Sequence, residues 1–145
     1  MERKWIPTTS EIIDRLSIVT LKSIILGCNN PEKKKAYEEE ASLIMSDLTE
    51  IMKKESKKIK DWGVFIRAIQ LDMLANRLVW ENETLARAGG RSQDHLLPFT
   101  HSVNSIRMRA GNFISAQLQE RKDLNLDRCV DMICKERGFD FSQVP

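Results

Sequence analysis

The stretch VFIRAIQLDMLANRLVWENETLARAGG, residues 64–90, decides the fold class. Along it Ile66, Ile69, Met73, Asn76, Trp80, Glu83 and Arg87 recur every three or four residues, the spacing of one face of an α-helix. Phe65, Ala68, Ala75, Leu78, Val79 and Leu85 cover much of the remaining circumference. The helix this predicts, about Val64 to Ala88, is therefore apolar nearly all round. A helix of that kind is central in its domain or lies in an oligomer interface. Gly89-Gly90 closes it.

Upstream, Thr8 can cap a helix and Glu11 stands three residues later, completing a capping box. Ile12, Leu16, Val19 and Ser23 then share a face, with Ile13, Leu21 and Ile24 beside it, and Gly27-Cys28-Asn29-Asn30 ends the segment. Asn30 and Pro31 supply the cap and first position of a second helix. Its positions Tyr37, Ala41, Ile44, Leu48 and Ile51 form a bundle seam. The far end, Lys53 to Lys60, is almost devoid of apolar residues and is expected to project into solvent or fray, with a break at Asp61-Trp62-Gly63. Downstream, a polar loop from Arg91 to His95 leads through Leu96-Leu97-Pro98 into a fourth helix with seam Phe99, Val103, Ile106, Ala110 and Phe113. A short fifth helix, roughly Leu126 to Arg137, starts near a cap at Asn125, and Phe139-Asp140-Phe141 is expected to dock back on the body. No stretch alternates as a strand would. The expected fold is all-α: one domain over residues 1–145, an antiparallel four-helix bundle with a short fifth C-terminal helix.

Composition narrows the function classes. The 145 residues carry 23 basic and 21 acidic side chains, a net +2, so overall charge gives no reason to expect a nucleic-acid partner. The lysines at the end of the second helix lack an accompanying aromatic or arginine reading surface and suit a solvated helix end. The richest apolar run, Ile12 to Leu26, is interrupted by Asp14, Arg15 and Lys22; neither a membrane span nor a secretory signal is expected. Cys28, Cys129 and Cys134 are odd in number and show no CxxC spacing, which argues for idle thiols in a reducing, cytoplasmic setting over a disulfide framework or a metal site. His95 and His101 share no helix face, and no HExxH, Walker, GxGxxG or GxSxG motif occurs. No cofactor, metal ligand or catalytic residue is assigned. A magnesium-dependent nucleotide pyrophosphohydrolase would need converging carboxylates, for which Glu38, Glu39, Glu40 and Asp47 against Glu81 and Glu83 are the available set. Three consecutive glutamates fan around a helix, and pairing with Lys33 to Lys35 is the simpler account.

Polar residues interrupting the seams carry more information. Asn76, Trp80, Glu83 and Arg87 align on the third helix; Asn104 and Arg107 share a face of the fourth, with Gly111 one turn on. On the first, Glu11, Arg15 and Lys22 follow one stripe beside Asp14. Gly111 costs a helix about 1 kcal/mol relative to alanine and suggests close approach by a backbone or a ligand. These side chains form either a buried structural network, with Glu83 paired to Arg107 or Arg15 and Asn76 fixing register, or the lining of a pocket. Arginine forks grip phosphate or carboxylate, asparagine reads amide and hydroxyl edges, and an indole stacks a planar base.

The run Asn76-x3-Trp80-Glu81-x-Glu83-x3-Arg87, followed by Val103-Asn104-x2-Arg107 and preceded by Glu11-Ile12-Ile13-Asp14-Arg15-Leu16-Ser17-Ile18, resembles a group of small helical proteins of unknown function. Members of that group occur in bacterial surface-sugar gene clusters and phage-like genomes. The resemblance covers about half the chain and departs after Arg107, where Met108-Arg109-Ala110-Gly111 replaces a more polar continuation. It implies a helical bundle and carries over no catalytic residue. The leading expectation is a non-enzymatic, oligomeric protein that binds a small anionic, nucleotide-like ligand through Arg15, Asn76, Trp80, Glu83, Arg87, Asn104 and Arg107, as a phage protein sequestering a nucleotide immune signal would. The alternatives are the hydrolase and a homo-oligomeric interaction module built on the third helix.

Overall fold

A computed structural model describes residues 5–89, 93–122 and 131–142 of the chain. Four long helices, α1 (Thr9–Ile25), α2 (Pro31–Glu55), α3 (Trp62–Ala88) and α4 (Gln93–Gln117), are followed by a short α5 (Asp131–Glu136), and no strand occurs among the described residues. The architecture is the antiparallel bundle expected from the sequence. α3 and α4 pack along their lengths, α1 lies against both, and α2 is laid on the outside of α1.

Local chemistry sets the helix ends. The Thr8 hydroxyl accepts from Glu11 N while the Glu11 carboxylate accepts from Thr8 N at 2.9 Å, so the capping box forms as read. Asn30 caps α2 through Lys33 N at 3.1 Å, with Pro31 at the first position. Gly27 is demanded by packing: a Cβ there would stand 2.1 Å from the Ser23 carbonyl oxygen and 2.8 Å from Lys34 Cβ. Gly89 ends α3 at φ 75°, a conformation glycine adopts without strain.

Three boundaries differ from the sequence expectation. Asp61 Oδ1 accepts from Val64 N at 3.1 Å, which starts α3 at Trp62 and takes Gly63 into the helix. The lysine-rich end of α2 neither frays nor extends; a 3-10 turn at Ser56–Lys58 brings Ile59 into the core. α4 begins at Gln93 and runs through Pro98, whose ring is exposed. Leu96 is buried and its carbonyl oxygen accepts from Asn82 Nδ2 at 2.6 Å, so tertiary contact draws the turn ahead of the proline into the helix. The predicted cap at Asn125, the start at Leu126, Cys129, Gly90 and Arg91 lie outside the described residues.

The core has two apolar clusters. Ile13, Ile59, Phe65, Ala68, Ile114 and Leu118 form one; Ala75, Leu78, Phe99, Val103, Ile106, Cys134 and Phe141 form the other. Phe141 is buried in the second and Phe139 packs beside it, so the C-terminal segment docks on the body as its aromatic pair suggested. Between the clusters, on the inner faces of α1, α3 and α4, stand Asp14, Ser17, Asp72, Asn76 and Arg107.

The buried line of α3 is not the one the apolar spacing picked out. Phe65, Ala68, Asp72, Ala75, Asn76, Leu78 and Asn82 face inward, whereas Ile66, Leu74 and Leu85 are exposed. A helix apolar all round carries little directional signal. Close approach to α4 admits small and hydrogen-bonding residues on that face beside Phe65 and Leu78.

Candidate functional site

The polar layer is held by a fork. Arg107 Nε donates to Asp14 Oδ1 at 2.7 Å and Arg107 Nη2 donates to Asp14 Oδ2. Asn76 Nδ2 donates to the same Asp14 Oδ1 at 2.9 Å and to Asp72 Oδ2 at 3.3 Å, and Ser17 Oγ donates to Asp72 Oδ2 at 3.3 Å. Asp72 is 3% exposed and also hydrogen-bonds Asp14. Its burial, then the adjacent Asp14 charge, push its carboxyl up to about 8. Burial opposes the ionisation of Asp14 as well, but hydrogen bonds from Arg107, Asp72 and Asn76 outweigh it and hold that carboxyl below the usual range. The Asp14 hydrogen bond in turn keeps Arg107 firmly protonated. With Asp72 protonated, the layer is one neutral acid, one carboxylate and one guanidinium, with no net charge.

This layer is the floor of a cleft of about 720 Å³ between the first turns of α1 and the second half of α4. Asn104, Arg107, Met108, Gly111, Asn112 and Ser115 supply the α4 wall. Thr8, Ser10, Glu11 and Asp14 supply the α1 wall, joined by a 3.0 Å hydrogen bond between Ser10 Oγ and Ser115 Oγ. Trp5, Arg121 and Lys122 form the rim. The Arg121 guanidinium lies 4.0 Å from the Trp5 ring centre and its Nη2 is 3.4 Å from Glu11 Oε2. With Arg107 matched to Asp14 and Arg121 to Glu11, Lys122 is the lining cation that forms no ion pair among the described residues.

The rim is placed by the end of α4. Gln119 takes φ 58°, turning the chain back so that Glu120 reaches the start of α1. Thr9 N and Thr9 Oγ1 both donate to the Glu120 carboxylate at 2.7 Å, a negative group on the positive end of a helix. Arg121 and Lys122 are thereby held over the cleft. Gly111 is not demanded by packing, because a Cβ there would meet only the Ser10 side chain in ordinary contact, Oγ at 3.7 Å and Cβ at 3.9 Å; its lack of a side chain leaves room in the cleft.

No protein-family model, no curated protein and no solved structure matches the chain. The site therefore stands on its own geometry.

Of the residues singled out in sequence, Asn104 and Arg107 line the cleft and Asn76 braces its floor from below. The other four do not line it. Arg15 faces α2, where Nε and Nη2 contact Glu40 Oε1 at 2.9 and 2.6 Å. Trp80 is half-buried on a flank of α3, and Glu83 and Arg87 are exposed. Glu83 thus does not form the buried pair considered for it, although its charge acts on Arg107 from a distance. Asp72 was missed, and its signal was present: a carboxyl four residues before Asn76 in an apolar helix. Trp5, Arg121 and Lys122 gave no signal, since only the fold brings them to the cleft.

The carboxylates considered for a hydrolase are dispersed. Glu40 pairs with Arg15, Glu38 with Lys34 and Glu81 with Arg77. Among the described residues no group of three or more acidic, histidine or cysteine side chains is placed to hold a metal ion.

Proposed function

We propose that the chain binds a small anionic, nucleotide-like ligand in the cleft between α1 and α4 and holds it without turnover. The observation that carries this is the convergence of Arg107, Arg121, Lys122, Asn104 and the Trp5 indole on one concavity of nucleotide size. The cationic rim suits phosphate or carboxylate, Asn104 suits a hydroxyl or amide edge, and the indole suits a planar base. The floor adds no repulsive charge while Asp72 keeps its proton. Asp14 is clamped by Arg107 and poorly disposed to act as a base, which favours binding over hydrolysis. Sequestration of a signalling nucleotide is a role such a protein would fill.

Equilibrium dialysis against a pool of nucleoside mono- and diphosphates and sugar nucleotides, read by mass spectrometry, tests this. Retention of an intact compound is expected, with Gly111→Leu abolishing it by filling the cleft and Asn104→Ala or Arg121→Ala weakening it about tenfold. Retention unaffected by Gly111→Leu would place the ligand elsewhere; recovery of a converted compound would replace binding with catalysis. A second reading, a homo-oligomer joined through α3, is favoured by Leu74 and Leu85, which α3 leaves exposed.

A further inference from the structure

The end of the bundle that holds the start of α1 and the finish of α4 also holds the α2–α3 junction. Lys60 N donates to Gln117 Oε1 at 3.2 Å, and Ile59 is buried beside Ile114 and Leu118, which pins that junction to the last turn of α4. Three segments far apart in sequence, 5–6, 53–62 and 121–122, thus meet at one end.

Two of the chain's three tryptophans are exposed there, Trp5 at 71% and Trp62 at 48%, together with Ile6 at 63% and, one turn into α3, Ile66 at 50%. The same segments carry Lys53, Lys54, Lys57, Lys58, Lys60, Arg121 and Lys122. The acidic groups of this end are largely occupied. Glu50 pairs with Lys53, Glu55 with Lys58 and Glu11 with Arg121, while Glu120 sits on the start of α1 and Asp61 caps α3. Lys54, Lys57, Lys60 and Lys122 form no ion pair among the described residues, and their charge is left facing outward.

We propose that this end of the bundle docks on the surface of an anionic lipid bilayer. Indoles settle at the headgroup level of a bilayer, isolated aliphatic side chains insert just beneath it, and lysines near the plane are attracted to lipid phosphates. No helix among the described residues is long and apolar enough to cross a membrane, so the attachment is peripheral. Single-stranded nucleic acid also seeks cations and aromatic rings, but it needs open ring faces for its bases. Here the Arg121 guanidinium already occupies one face of Trp5, and the exposed Ile6 and Ile66 have no ring to offer a base while they suit the acyl boundary of a bilayer. The lysine run, which reads in sequence as a solvated helix end with no membrane partner, changes meaning once the fold adds the tryptophans.

Co-flotation of the full chain with vesicles tests the proposal. The protein is expected to float with phosphatidylcholine–phosphatidylserine vesicles at low salt, to stay behind with phosphatidylcholine alone, and to be released by molar salt. Lys57→Glu with Lys60→Glu should weaken partitioning about tenfold or more, and Trp62→Ala should weaken it severalfold, with helical content unchanged. None of these positions lines the cleft, so retention of small ligands should stay at the wild-type level, and the two proposals fail separately. Equal flotation with both vesicle types, no flotation, or indifference to the variants would overturn the lipid assignment. So would single-stranded oligonucleotide binding that these variants abolish while vesicles remain unbound.

Discussion

Asp14 and Arg15 are neighbours on α1, and each meets an oppositely charged side chain from another helix, yet the two pairs sit in different surroundings. One residue of rotation points Asp14 toward α3 and α4 and Arg15 toward α2. The Asp14–Arg107 pair is 21% and 31% exposed and is tied to Asn76 and Asp72; the Arg15–Glu40 pair is 48% and 38% exposed and stands alone. A charge pair in solvent can be dismantled at little cost. A pair inside a polar layer leaves a stranded charge when half of it is removed. The same elementary interaction is therefore structural and site-forming at one position and nearly dispensable at the next.

The sharpest way to break this contrast is Arg107→Ala. It leaves Asp14 against a buried acid and should destabilise the fold by about 3 kcal/mol in urea unfolding. A loss below about 1 kcal/mol would make the two pairs equivalent.

A somewhat smaller effect is expected from pH. Asp72 holds its proton more tightly in the folded chain than in the unfolded one. Folding therefore takes up a proton between about pH 4 and pH 8, and stability falls as pH rises through that window. Asp14 shifts the opposite way, so its contribution is lost as pH falls below the ordinary carboxylate range. Asp72→Asn supplies a permanently neutral group and should flatten the fall toward pH 8. An unchanged slope in that variant would show that another group titrates.

Least affected should be Arg15→Ala, with a loss of about 0.5 kcal/mol that shrinks further in high salt. A loss comparable with that of Arg107→Ala would mean that α2 is held to α1 by charge and not by its half-buried seam.

The sequence was legible where a local rule acts alone. Thr8 with Glu11, Asn30 with Pro31, and Gly89 each declare a helix end by backbone chemistry, and each acts there as read. The segment before Pro98 was misread because a contact from Asn82 on another helix overrides the proline rule. The inward line of α3 was misread for a related reason. Its outward Ile66, Leu74 and Leu85 are as apolar as any core residue, while its inward Asp72, Asn76 and Asn82 owe their burial to partners on α1 and α4. Asn104 and Arg107 were legible as polar breaks in an apolar seam. The cleft rim, Trp5 with Arg121 and Lys122, is assembled by tertiary folding from segments more than a hundred residues apart and has no trace in local spacing.

The central claim, that ligand enters between α1 and α4, is tested most directly by amide chemical-shift mapping during titration with a mixed pool of nucleoside mono- and diphosphates. The account predicts saturable shifts at Ser10, Asn104, Gly111, Asn112 and Ser115, with Trp80 and Arg87 unmoved. Shifts centred on Trp80, Glu83 and Arg87 with the α1–α4 cleft silent would contradict it, and would return the site to the outer flank of α3.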